Sequence, residues 1–420
     1  MSVETAKPTA PPPASLLRQR DFRLITAAIG LSALGDWLAL VPLVLHLQAS
    51  TGSGLVVGAL FIALWTPQAL LAGPAGLIVD RFETRRVLLI GSIAQAAVAL
   101  TLAFVEPTWA LIALVGLLGS GLAVTQPAEF ALIPAIVGER RVHEANGHTE
   151  TARYVGFAVG PLAGGLLAAA GGIEIALLVN AGTFAALALA AALVRARRRP
   201  QPAAEGEPQR ARDGIMFLFR DGVLRLVMPI AFASLLFMTA SASAEVFFAV
   251  DVLDAGEAGY GALIAIWTLC MAIGSLTLAR RVTVAFLPLA ALVLITIQGS
   301  GIALPALWLS IPFALGMFAI GGLAHGTKNV VIRTLIHGRT PDRLRGRAYA
   351  AYNGMRNAAE LVALSGGGVL VATLGARWTL LLAGGLSALA AIAGLTLYRL
   401  RTEGSKPQRL PAETEPAGAA

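Results

Sequence analysis

The sequence predicts an all-α membrane protein in which twelve transmembrane helices form two pseudo-symmetric six-helix bundles. Apolar residues fill 56% of the 420 positions and charged residues only 13%, too little polar surface to cover a water-soluble body of this size. Apolar runs recur twelve times, at approximately 24–47, 55–79, 87–105, 109–136, 148–170, 174–194, 226–250, 259–279, 282–303, 306–332, 348–372 and 378–398. Each is close to the roughly 20 helical residues that cross a bilayer core.

Basic residues alternate from loop to loop. If residue 1 starts in the cytoplasm, they fall in the leading tail (Lys7, Arg18, Arg20, Arg23) and in every second loop. Those loops hold Arg81, Arg85 and Arg86, then Arg140 and Arg141, Arg195 through Arg225, Arg280 and Arg281, and Arg339 through Arg347. The other loops carry only Arg377. This asymmetry predicts an inner-membrane protein with both termini cytoplasmic. The net charge of +8 is then a record of topology, and no nucleic-acid partner is expected.

Residues 1–20, with Pro8, Pro11, Pro12 and Pro13, have no apolar signal core and read as a disordered tail, as do residues 401–420. Between them the chain divides into a bundle at 21–195, a polar, Arg-rich linker at 196–222 and a second bundle at 223–400. An offset of 203 residues carries Arg140 to Arg343, Arg153 to Arg356, and Gly164-Gly165 to Gly367-Gly368. A small-residue ridge survives as Ala359, Ala363 and Gly367, whereas Pro161 becomes Leu364. Such internal symmetry is the mark of transporters built from two related bundles.

Within the fifth run, Gly156, Gly160 and Gly164 recur every fourth residue and stack into one ridge without side chains, where another backbone can approach closely. Pro161 is expected to bend the helix. Together with Gly147 and Gly165, these positions are similar to the antiporter motif of drug/proton exporters in the major facilitator superfamily. The loop Gly76-Leu77-Ile78-Val79-Asp80-Arg81 followed by Arg85-Arg86 resembles that superfamily's cytoplasmic signature, with Glu83 and Thr84 as departures. Pro341-Asp342-Arg343-Leu344-Arg345-Gly346-Arg347, Arg20-Asp21-Phe22-Arg23 and Gly35-Asp36 resemble the branch containing the enterobactin exporter and the macrolide efflux proteins. The fourth span departs from many drug/proton antiporters, reading Leu114-Val115-Gly116-Leu117-Leu118-Gly119 where an embedded Arg is usual.

The resemblance implies a central cavity lined by spans one, four, seven and ten, with three, six, nine and twelve facing lipid. It implies export of a small lipophilic or siderophore-like compound in exchange for protons, by alternating access. The glycine ridge would form a leak-proof contact between bundles. Asp80 would face a helix N-terminus of the other bundle, with Arg81 and Arg85 bridging to acids such as Glu129, as an inner latch. The competing reading is that these arginines only hold topology.

Ionisable groups inside the spans are the further functional clue, because each costs about 2.5 to 3.5 kcal/mol at mid-bilayer. They are Asp36, Glu129, Arg153, Glu245, Lys328, Arg356 and Glu360. Asp36, with no basic residue within a helical turn, is the first candidate for proton coupling, ahead of Glu245 and Glu360. Glu245 alternatively sits solvated at the outer interface. Arg356 and Glu360, four apart, alternatively neutralise each other. Lys328 either binds an anionic solute group or snorkels to headgroups, and His325 is a candidate relay. Trp65, Phe237 and Trp267 are candidates for stacking a solute, with core packing as the alternative. Trp109, Trp308 and Trp378 read as interfacial anchors, and Cys270 as core.

No phosphate-binding loop, H-E-x-x-H pair or Cys/His ligand set occurs, so neither an enzyme, a cofactor nor a metal is expected. The expected partners are the bilayer, a small solute and protons, with the chain acting as a monomer. An importer, facilitator or lipid flippase on the same fold is the first alternative, and a non-transporting sensor the second.

Overall fold

A computed structural model describes residues 15–197 and 211–403. Every regular element among them is helical. The first bundle comprises α1 (Arg20–Thr51), α2 (Gly54–Leu70), α3 (Ala72–Arg81), α4 (Thr84–Leu102), α5 (Thr108–Val137), α6 (Val142–Ala169) and α7 (Ile173–Leu193). After α8 (Ala211–Arg220), the second contains α9 (Leu224–Phe247), α10 (Gly256–Ile273), α11 (Leu287–Leu307), α12 (Ile311–Arg339) and α13 (Asp342–Glu403). Nine described helices are long and apolar enough to cross a membrane, and α2 with α3 forms a tenth, bent span. The α13 helix is two spans joined at Gly375, whose φ of 78° only glycine adopts easily. With α12, this completes the twelve.

The run at 55–79 is therefore not one straight helix. Its two pieces meet at 53°, because Pro74 lacks an N–H and its ring crowds the carbonyl four residues back, where α2 ends. In contrast, α6 runs unbroken over 28 residues through Pro161. Part of the expected linker also has structure: α8 lays Leu218, fully buried, against Leu224, Val227 and Met228 of the second bundle. Residues 198–210 and the tails at 1–14 and 404–420 lie outside the described residues.

The repeat is visible in the packing. In the first bundle α6 packs on α1, and in the second the first arm of α13 packs on α9. The bundles meet along two seams, α6 on α10 and α13 on α2. A methyl group on Gly165 would strike Glu257 O and Gly261, and one on Gly368 would strike Gly54 O and Leu55. The 203-residue offset carries Gly165 to Gly368 and Gly58 to Gly261, so both seams are the same contact written twice. Filling either with Gly165→Val or Gly368→Val is expected to lower the melting temperature in detergent, at about 1–3 kcal/mol for overpacking. Gly182→Ala, whose added methyl meets nothing within 4 Å, is the neutral control.

The buried core forks. One apolar cluster joins both bundles on the side away from the chain tails, drawing on Val44, Leu60, Phe247, Leu263 and Leu380. Towards the tail side it divides into two separate clusters. Ile25, Leu88 and Leu132 belong to the first bundle's branch, and Val227, Ile295 and Val331 to the second's. The bundles are thus sealed to each other at the far side and part towards the tail side.

Candidate functional site

The embedded charges gather where the core forks. On α1, Asp36 lies between Ile29 of the first branch and Ala39 of the shared cluster. On α12, His325 and Lys328 lie between Phe318 of the shared cluster and Val331 of the second branch. Arg356 and Glu360 hold the corresponding interval on α13, between Tyr352 and Leu364.

Asp36 lines a cavity of about 200 Å³ inside the first bundle, with Trp37, Trp65, Gln68, Gln126 and Asn180 also on its wall. Gly35 lets the Thr183 and Asn180 side chains press against α1 beside it. Trp65 stacks on Phe61 at 5.1 Å, so one face of the wall is a fixed aromatic surface. Among the described residues Asp36 has no hydrogen-bond partner, and the charges that act on it are Glu129 and Arg153. Asn180 and Phe184 belong to α7, so the sixth span turns one face inward and does not only face lipid as the resemblance implied.

Glu129 is not part of a loop latch. It is 5% exposed and accepts a 2.7 Å hydrogen bond from Arg153 Nη2, with Arg153 itself 8% exposed. The reason is depth. Glu129 lies eight residues inside the tail-side end of α5, roughly 12 Å at 1.5 Å per residue, beside α6 rather than the loop. Arg153 also lies over the Phe130 ring at 5.1 Å and reaches Glu150 at 3.9 Å. That longer contact is made by Nε, which is buried and has no hydrogen bond among the described residues. Arg85 instead donates to Ala192 O at 2.8 Å, within its own bundle, while Asp80 and Arg81 are exposed at the end of α3. A methyl group on Gly76 would meet nothing within 4 Å, so no close approach requires that glycine.

The glycine ridge also has a different neighbour from the expected one. Gly156, Gly160 and Gly164 face the backbone of α1 at Leu34 and Leu38, inside the first bundle. Of the described motif positions only Gly165 and the Pro161 carbonyl meet the other bundle, at Gly261, while Gly147 has open space beside it. The ridge therefore clamps α1, which carries Asp36, to α6, which carries Arg153.

In the second bundle Lys328 is 3% exposed and does not snorkel. His325, one turn away, meets Asn329 Nδ2 through Nε2 at 3.0 Å and leaves Nδ1 buried without a partner. Trp267 packs against His325 and Phe318, each at 5.8 Å between centroids, because Gly321 and Gly322 leave room for it. Arg356 Nε donates to Glu360 at 2.9 Å. Phe237 is half-buried on α9. Glu245 is not simply solvated: its neighbours Ala244 and Val246 belong to the shared core, and Ser241 Oγ donates to it at 3.3 Å. Arg343, Arg345 and Arg347 lie outside the residues whose side chains are described.

Two polar ties were not foreseen. Asp21 accepts from the Arg195 and Ala196 N–H groups at 2.7 and 3.1 Å, holding the start of α1 to the end of α7. Across the far side, Gln48 Nε2 donates to Asp251 Oδ1 at 2.9 Å, joining the two bundles. Gln48→Leu is expected to weaken that closure. In a protein carrying Cys270→Ala and Leu253→Cys, a position 8% exposed beside the tie, maleimide labelling from the far side should rise severalfold, and unchanged labelling would show that the tie does not hold the bundles. Trp109, Trp308 and Trp378 are exposed at far-side helix ends, where anchors belong.

Two six-span bundles related by an internal repeat, sealed at one side and parted at the other around buried charges, define a transporter of the two-bundle class. The model of the Major Facilitator Superfamily matches residues 25–294 and 253–419, and the chain belongs to that family. It is similar to the uncharacterized MFS-type transporter YfiS of Bacillus subtilis (strain 168), at 24% identity over 87% of this chain and 90% of YfiS. It is 30% identical to the enterobactin exporter EntS of Shigella boydii serotype 4 (strain Sb227), over 87% of this chain and 88% of EntS. Among solved structures, a mutant of the nucleoside transporter NupG shares the fold with a TM-score of 0.73 at 14% identity, over 90% of this chain and 100% of NupG.

Proposed function

We propose that this chain exports a small lipophilic or siderophore-like compound across the cytoplasmic membrane in exchange for protons, acting as a monomer with both termini in the cytoplasm. The observation that carries the reading is Asp36, a carboxyl on the wall of a cavity with no hydrogen-bond partner among the described residues, subject to the charges of the buried Glu129–Arg153 pair. Such a group can exchange a proton with the cavity, and the pair beside it gives the resulting change of charge something to act on. The similarity to an enterobactin exporter supports the outward direction. The forked core fits the cytoplasm-facing state of an alternating-access cycle, in which solute enters between the branches from the tail side.

The test is pH-gradient dissipation in inside-out vesicles, with macrolides, siderophores and lipophilic cations added in turn. Solute-triggered proton release, absent from vesicles without the protein, is the expected result. Solute movement that ignores the gradient would overturn proton exchange in favour of a facilitator.

A further inference from the structure

Lys328 is a cation enclosed by protein with no carboxylate to answer it. Its exposure is 3%, and no hydrogen bond or ion pair engages it among the described residues. The charge that acts on it is a second cation, Arg356. Glu360 takes up only the Nε of Arg356, at 2.9 Å, and Lys328 with Arg356 against Glu360 leaves one positive charge over. One helical turn from Lys328, His325 Nδ1 is likewise buried without a partner. Removing one partner of a buried ion pair is strongly destabilising because the remaining charge is uncompensated, and the resting arrangement here resembles a pair with one member removed.

The missing member has to be an anion, and the surroundings restrict its kind. Trp267, held in place over Gly321 and Gly322, presents an aromatic face beside His325. The Arg356 side chain is 41% exposed, so the cluster opens towards the space between the two branches of the core. Lys328 lies 11 residues inside the tail-side end of α12, roughly 16 Å at 1.5 Å per residue, which sets it away from headgroups at that end. Resting on the reading of that space as the solute's path, we propose that Lys328 and Arg356 bind an acidic group of the transported compound, with Trp267 beside its aromatic part. The solute class narrows to aromatic acids and compounds that carry them. The acidic end is held by the second bundle and the remainder faces the cavity around Asp36 in the first.

The experiment uses the full chain in nanodiscs of phosphatidylcholine, which has no net charge, and follows tryptophan fluorescence while titrating benzoate and its neutral isostere benzamide. The expected result is binding of benzoate about tenfold tighter than benzamide, equivalent to ~1.4 kcal/mol. Lys328→Met should remove the preference while leaving the melting temperature within a few degrees. Lys328→Arg, which keeps the charge, should retain it. Equal affinities in the wild type, binding of neither compound, or an undiminished preference in Lys328→Met would overturn the assignment. No proton gradient is present, so this outcome stands apart from that of the vesicle assay.

Discussion

Asp36→Asn is expected to fold, reach the membrane and bind solute, yet release no protons when solute is added to inside-out vesicles under a pH gradient. Asparagine preserves the volume and the polar contacts open to Asp36 on the cavity wall, among Gln68, Gln126 and Asn180. What it removes is the capacity to change charge. In the wild type, ionisation of Asp36 adds a negative charge near Glu129 and competes for the pull of Arg153, so one proton can shift the balance between α1, α5 and α6. The amide leaves that balance fixed in one setting. A wild-type response from Asp36→Asn would move coupling to another embedded carboxylate, for which Glu245→Gln and Glu360→Gln are the next variants to assay.

The largest expected loss of stability follows from Glu129→Gln. It leaves Arg153, 8% exposed and with no hydrogen bond at Nε among the described residues, with only the longer 3.9 Å contact to Glu150. Removing one member of such a buried pair costs about 3–5 kcal/mol, because the remaining charge stays desolvated. Glu129→Leu combined with Arg153→Met should recover most of that loss, since apolar residues of similar volume need no counter-charge there. Thermal unfolding in detergent of Glu129→Leu, Arg153→Met and the double variant measures the coupling directly. A loss below about 1 kcal/mol for Glu129→Gln would mean that water or Glu150 already satisfies Arg153.

The spans, their count and the internal offset were legible because bilayer thickness and helical rise act on every residue of a run. The glycine ridge was legible as a surface of close approach, but not its neighbour. Helical periodicity says that Gly156, Gly160 and Gly164 share a face, and nothing in it distinguishes α1 from the opposite bundle. Glu129 and Arg153 were both recognisable as embedded charges, 24 residues apart. Their union depends on how deep each lies, and the loop arginines were the more obvious partners from sequence. Asn180 was hidden by a rule about which spans face lipid, although a buried amide in an apolar run was itself a signal. For Asp36, the absence of a basic neighbour along its own helix could be read directly, whereas Glu129 and Arg153, which act on it from α5 and α6, could not.

The two seams between the bundles consist largely of main chain against main chain, at Gly165 on Gly261 and Gly368 on Gly58. A joint of that kind has no charge to titrate and no long side chain to reorganise. Among the described residues the polar ties between the bundles are Gln48 to Asp251 on the far side and Thr268 Oγ1, which donates to Phe157 O at 2.7 Å on the α6–α10 seam. The chain thus separates its bearing from its switch. In the proposed cycle these seams serve as the pivot, and Asp36, Lys328 and Arg356 sit a few turns away, where the two bodies part.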